Sequence, residues 1–178
     1  MHAKTTIHKI WNGVSTVLVA VMVLLAILLA GTRLIGLRPF VILSGSMEPT
    51  YHVGALIYVK ETDPTEIQPG QAVTFLLDED TVATHRVVER VPDETDPNLI
   101  RYRTKGDANE LVDGSLVHPN NVVGVPVFTI PYLGFLASFI QQPPGSYVAL
   151  AFGAFVLLLI FLPDLLFAEK DTEKKAKH

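Results

Sequence analysis

Two long uncharged segments lie near the two ends of the chain. The first, Val14–Ala30, reads VSTVLVAVMVLLAILLA, and the second, Ser146–Pro163, reads SYVALAFGAFVLLLIFLP. Since a helix of about 20 apolar residues crosses a bilayer core, the pattern predicts transmembrane helices over 14–32 and 146–168. A cleavable signal peptide is the alternative for the first segment. It is disfavoured because the apolar run exceeds the usual length and Leu28 disrupts a small-residue cleavage site ending at Ala30.

Between the two spans, residues 33–145 contain five segments rich in β-branched and aromatic residues, separated by turn sequences such as TDPTEIQPG and PDETDPN. Since no amphipathic helix pattern lies between these segments, residues 33–145 are predicted to form a mainly β domain, an antiparallel sheet or small barrel. The segment Ile130–Gly145 predicts a short interfacial helix leading into the second span. The predicted strands are Ala55–Lys60, Ala72–Leu77, Thr81–Val91, Leu99–Lys105 and Val122–Ile130.

The basic residues that flank the spans predict their orientation. Two lysines precede the first span and four follow the second, whereas only Arg33 and Arg38 lie close to a span on the other side. The excess of positive charge marks the cytoplasmic side, so the tails 1–13 and 169–178 are predicted to be cytoplasmic. The β domain of this multi-pass cell-membrane protein is then extracytoplasmic.

Composition excludes some classes of function. Residues 33–145 carry eight basic and fourteen acidic side chains, a balance that argues against binding of nucleic acid. The chain contains no cysteine, so disulfides and thiolate metal sites are excluded.

A hydroxyl-rich turn, SGSMEPT at residues 44–50, follows the first span closely. It is either an ordinary turn or the site of a nucleophile, and a serine hydroxyl needs a base to become one. Histidines in the tails lie on the wrong side of the membrane, which leaves His52, His85 and His118. His85 lies in the strand sequence ATHRVV and is expected to point away from Thr84 and Arg86, although a lone strand histidine is often structural.

Two carboxylates are candidates to orient such a base. Asp107 and Asp113 both lie in GDANELVDG, where ordinary turns are the simpler interpretation. The sequence gives either aspartate access to His85. Asp107 has local backbone N–H groups to bind, whereas the apolar pair Leu111–Val112 is expected to anchor Asp113 against the core.

Taken in order, SGSMEPT, GALIYV, THRVV, TKGDAN with Asp113, and VVGVPVFTIPYLGF resemble the type I signal peptidases over roughly residues 40–135. The common bacterial branch has a Lys–Arg pair on a strand, where this chain has His85–Arg86. The chain therefore resembles the endoplasmic-reticulum and archaeal branch, as a prokaryotic member with two spans. Ala108 and Val112 depart from that branch, which often has Asn and an acidic residue at these places.

The resemblance implies a membrane-bound serine endopeptidase that removes signal peptides through an acyl-enzyme. Ser46 would be the nucleophile, His85 the general base and Asp113 the orienting acid, while Ser44 would support the oxyanion and Asp107 the site. Substrates would carry small residues at −1 and −3 and would bind as an added strand. The lipid bilayer and the secretion translocon are the other implied partners, and no metal or cofactor is implied.

Two alternatives remain open. A Ser–Lys protease would use Lys60 or Lys105 as base, but His85 occupies the strand position that would hold the lysine. A non-catalytic membrane-anchored β domain, acting as an adaptor or as a subunit of a processing complex, would require the Ser, His and Asp set to be coincidental.

Overall fold

The computed structural model describes residues 2–79 and 81–175, and the chain divides into two compact units. One unit contains the residues up to 28 and those from 139 onward, and the other is Leu29–Ser138. Helix α1, His2–Leu29, and helix α3, Gly145–Lys175, provide nearly all of the first unit. The second unit contains the β-sheet.

Helix α1 ends at Leu29, before residue 32, the predicted end of the first span. A 3₁₀ helix, Gly31–Ile35, follows it and is closed by Gly36, whose φ of 77° suits a residue without a Cβ. Within the described residues, Trp11–Leu29 is long and apolar enough to cross a membrane, with a mean hydropathy of 2.5. Helix α2, Leu133–Gln141, and the start of α3 pass that test only as a bent pair. The second span therefore stays a prediction.

Six antiparallel strands form one sheet in the order β1-β2-β6-β3-β4-β5. This confirms the predicted antiparallel β fold. The described strands form an open sheet with β1 and β5 at its edges, rather than a closed barrel. The strands are β1 Leu37–Val41, β2 Leu56–Lys60, β3 Ala72–Leu76, β4 Val82–Pro92, β5 Ile100–Lys105 and β6 Val122–Ile130.

Strand β2 is buried on both faces. Ile57 and Val59 belong to one apolar cluster, and Leu56 and Tyr58 belong to another that includes Ala137 of α2. The predicted short helix after the last strand is therefore present, and it covers one side of β2. Because β2 begins at Leu56, six positions after the last residue of SGSMEPT, its burial gives that turn a firm support.

Strands β3, β4 and β5 form the other part of the sheet. One apolar cluster includes side chains from all three strands. Four of them are at most 3% exposed, namely Val73, Phe75, Val87 and Tyr102. His85 is paired with Val73 across β3 and β4, so it lies on the face of the sheet that carries this cluster. Packing of this cluster therefore holds β4, the strand that carries His85, in a defined position.

Candidate active site

Ser46 lies in a single 3₁₀ turn, Gly45–Met47, between β1 and β2. The Met47 side chain is 1% exposed and anchors the turn, while Glu48 N–H donates to the Gly45 carbonyl at 3.0 Å. Ser46 itself is half-buried, and its carbonyl accepts from Ala108 N–H at 2.9 Å. A Cβ at Gly106 would lie 2.6 Å from that carbonyl oxygen, so the close approach of the two segments requires glycine at position 106.

His85 reaches this turn from the middle of β4. Its Nε2 lies 3.2 Å from Ser46 Oγ, and its ring meets the ring of Phe75 edge to face at a centroid distance of 6.2 Å. The neighbouring Thr84 hydroxyl instead meets Thr74 at 2.8 Å. The predicted alternation along β4 is therefore confirmed, because His85 points away from Thr84.

Asp113 lies on the other side of the imidazole. Its Oδ2 is 2.6 Å from His85 Nδ1 and accepts a hydrogen bond from Thr104 Oγ1 at 2.6 Å. Asp113 N–H also donates to the Thr104 carbonyl at 2.8 Å. The side chains of His85 and Asp113 are only 16% and 22% exposed, so water competes weakly for this contact.

The prediction that Leu111 and Val112 anchor Asp113 was wrong. These side chains are 80% and 44% exposed, because the segment is held through Thr104 rather than through apolar contacts. Sequence reasoning missed Thr104, which is fully buried. The sequence does contain an indication of Thr104. It follows Tyr102 by two positions in β5, so in an alternating strand its hydroxyl lies on the same apolar face as Tyr102.

Asp107 makes a different set of contacts. Its two oxygens accept from Arg86 Nε and Nη2 at 2.7 and 2.6 Å, and Oδ2 also accepts from Thr50 Oγ1 at 2.6 Å. In the described chain these bonds replace the local backbone contacts expected for Asp107. The Arg86 guanidinium lowers the pKa of Asp107, against the opposing effect of burial, and Asp107 raises the pKa of Arg86 in return.

Of the remaining candidates, Ser44 contacts Ser46, whereas the rings of His52 and His118 bond to other residues. Ser44 is exposed, and its Oγ lies 3.2 Å from Ser46 Oγ. His52 Nδ1 is bonded to Glu48 at 2.5 Å, and His118 Nδ1 accepts from Asn120 N–H at 3.1 Å. Among the hydrogen bonds of the described residues, those of the Ser46 hydroxyl run to Ser44 and His85, and none runs to a lysine.

Residues 14–100 match the family described as signal peptidase, peptidase S26. The chain is 37% identical over 119 residues to Signal peptidase I W of Bacillus subtilis, covering 62% of this chain and 61% of that protein. It is 35% identical over 128 residues to human signal peptidase complex catalytic subunit SEC11C, covering 66% of each chain. A human sequence named for subunit SEC11B is 30% identical, with 67% of this chain and 77% of that protein covered.

The chain thus spans about three fifths to two thirds of the length of the first two relatives. The resemblance noted in the sequence motifs is confirmed by these matches. The chain belongs to the signal peptidase family, peptidase S26, on the side of the family that includes the SEC11-type subunits.

Proposed function

We propose that this chain is a membrane-bound serine endopeptidase that removes signal peptides from exported preproteins. The observation that carries the proposal is the continuous series of contacts from Ser46 Oγ through the His85 ring to Asp113, with distances of 3.2 and 2.6 Å. Ser46 and His85 lie within residues 14–100, which match a peptidase family, and Asp113 follows that match in the sequence.

The tautomer of His85 follows from its partners. An ionised carboxylate can only accept hydrogen bonds, so Asp113 holds the imidazole proton on Nδ1 and leaves Nε2 free to accept from Ser46. His85 Nε2 takes the Ser46 proton as Oγ bonds to the scissile carbonyl carbon, giving a tetrahedral oxyanion. The imidazolium then protonates the amine as the C–N bond breaks, which leaves an acyl-enzyme. Water attacks the ester with His85 again as base, and Ser46 is regenerated.

Ser44 and Asp107 have supporting roles in this proposal. The Ser44 hydroxyl lies 3.2 Å from Ser46 Oγ, so it is close enough to donate to the oxyanion that forms on the substrate carbonyl oxygen when Oγ bonds to the scissile carbon. Asp107 ties Arg86 and Thr50 together beside the segment whose Ala108 N–H binds the Ser46 carbonyl. It therefore holds the nucleophile turn without touching the reacting atoms.

The membrane arrangement belongs to the same proposal. Residues 14–32 and 146–168 cross the membrane, residues 33–145 form the extracytoplasmic catalytic domain, and the tails 1–13 and 169–178 are cytoplasmic. Signal peptides with small residues at −1 and −3 bind as an added strand, and the translocon supplies them. The apolar segment Trp11–Leu29 supports the first of these spans.

Cleavage of a preprotein by the purified full chain in detergent tests the proposal. The wild type should release the mature protein, and Ser46→Ala should reduce cleavage to background while its melting temperature stays unchanged. Ser44→Ala should slow the reaction by about 10²–10³-fold, the usual effect of one oxyanion donor. Near-normal cleavage by Ser46→Ala would remove the nucleophile assignment. A folded wild type without cleavage would favour the adaptor alternative.

A further inference from the structure

Arg33 and Arg38 have no part in the catalytic proposal, yet they line one cavity of about 450 Å³ beside β1. Arg38 Nη2 is 3.4 Å from Glu61, and these side chains are 59% and 77% exposed, so the pair is weak. In the described part of the chain, no hydrogen bond or ion pair involves the Arg33 side chain. The cavity therefore presents two guanidinium groups against one loosely held carboxylate.

These arginines are close to the end of the apolar helix. Arg33 follows Leu29 by four positions, so its Cα lies within about 14 Å of the last residue of α1. Leu34 and Ile35, directly after Arg33, are 91% and 74% exposed. Exposed apolar side chains next to cationic ones are typical of a segment that lies at a membrane–water interface.

The side of the membrane on which these arginines lie is also unusual for basic residues. On the proposed orientation, which this inference adopts, Arg33 and Arg38 flank a span on its extracytoplasmic side, where basic residues are disfavoured. A guanidinium offers paired N–H donors that match the oxygens of a phosphate. A phosphodiester in the cavity, with one negative charge, would balance the net positive charge that Arg33, Arg38 and Glu61 leave there.

We propose that Arg33 and Arg38 bind the phosphodiester headgroup of an anionic phospholipid of the outer leaflet. The acyl chains of that lipid would lie against Leu34 and Ile35, which gives a lipid an advantage over free phosphate. Glu61 competes with the phosphate for Arg38 and repels it, so it sets an upper limit on affinity. The bound lipid would fix the first residues of the catalytic domain at the membrane surface.

Native mass spectrometry of the full chain in nonionic detergent tests this proposal. Short-chain phosphatidylglycerol, short-chain phosphatidylcholine and inorganic phosphate are titrated separately. The double variant Arg33→Gln/Arg38→Gln should bind phosphatidylglycerol about 30-fold more weakly than the wild type. Glu61→Gln should bind it more tightly. The matched controls are Arg103→Gln and Glu89→Gln, which break an exposed pair at 3.1 Å between β4 and β5, at the opposite edge of the sheet.

Equal weakening in the control variants, or none in the double variant, overturns the site. Binding of phosphatidylcholine as tight as that of phosphatidylglycerol overturns the preference for an anionic headgroup. Competition by inorganic phosphate at equal concentration overturns the lipid in favour of free phosphate. Preprotein cleavage in detergent should be the same in wild type and double variant. An inactive wild type that still binds phosphatidylglycerol through the arginines counts against the proposed function alone.

Discussion

His85 and Arg86 are neighbours on β4, but they bind two different carboxylates of one short segment. His85 contacts Asp113 at 2.6 Å, and Arg86 forms two hydrogen bonds with Asp107 at 2.6 and 2.7 Å. Since successive residues of a strand point to opposite faces, a single strand presents a titratable base on one side and a permanent cation on the other.

The His85–Asp113 pair and the Arg86–Asp107 pair have different further hydrogen-bond partners. The histidine pair is joined to the Ser46 hydroxyl, whereas the arginine pair is joined to Thr50 and, through Arg86 Nη1, to the Gly70 carbonyl at 2.7 Å. An Arg–carboxylate pair keeps its charges at any ordinary pH, so it suits a structural clamp. An imidazole gains and loses a proton near neutral pH, so it suits proton transfer. This difference supports the proposal that Asp113 takes part in the chemistry and that Asp107 has a supporting role.

The largest expected effect comes from Asp113→Asn. An asparagine can present an N–H to His85 Nδ1, which favours the tautomer that no longer accepts the Ser46 proton. We expect kcat to fall about 10⁴-fold, as for other triad histidines that lose their orienting charge. The melting temperature should change little, because Asp113 N–H still binds the Thr104 carbonyl. Turnover and thermal unfolding of the full chain are measured together.

Asp107→Asn should instead lower stability clearly and activity only modestly. It breaks the two-point contact with Arg86, whose side chain is 34% exposed, and it weakens the bond from Thr50. We expect a loss of about 1–2 kcal/mol in unfolding free energy and a fall of about 3–8 °C in melting temperature. Cleavage per folded molecule should fall far less than in Asp113→Asn. The exposed-pair variant Glu89→Gln is the control and should be nearly neutral. A stable but inactive Asp107→Asn beside an active Asp113→Asn would reverse the two roles.

Much of this arrangement was predictable because it is carried by local patterns. Five of the six strands were predicted from β-branched and aromatic runs, and the period-2 alternation predicted which way His85 points. The short strand β1 was missed because Pro39 weakens its pattern, and such a strand is tolerated at a sheet edge. The order of the motifs indicated the signal peptidase family, and the match of residues 14–100 and the similarity to Signal peptidase I W confirm it.

The partners of the two aspartates were less predictable because they depend on register between distant segments. Thr104 lies opposite Val87 and Lys105 opposite Arg86, and a bulge between β4 and β5 shifts the pairing beyond that point. This pairing decides that Thr104 supports Asp113, and no local pattern encodes it. The exposure of Leu111 and Val112 has the same origin, since two hydrogen bonds to Thr104 replace the expected apolar anchor.

The pH dependence of stability also tests the role proposed for Asp107. Arg86 lowers the pKa of Asp107 in the folded state, so this group adds stability above its unfolded pKa and loses it as the pH falls through the folded pKa. The gap in melting temperature between wild type and Asp107→Asn should therefore be largest above about pH 5 and should shrink below about pH 4. Melting curves of both proteins from pH 3 to pH 8 measure it. A gap that widens towards low pH would contradict the clamp.

The smallest expected effect tests how Asp113 is held. Thr104→Val keeps the shape of a fully buried side chain and the backbone bond to Asp113, but removes the hydroxyl that donates to Oδ2. With one donor lost, the carboxylate is less well positioned against His85, and we expect kcat to fall about 3–10-fold, the effect of one hydrogen bond. Thr74→Val, which removes a buried hydroxyl bonded to Thr84 on the other face, is the matched control. It should cost a similar amount of stability without slowing cleavage. If both variants slow cleavage equally, the loss reflects general disturbance of the sheet, and Thr104 has no special role in positioning Asp113.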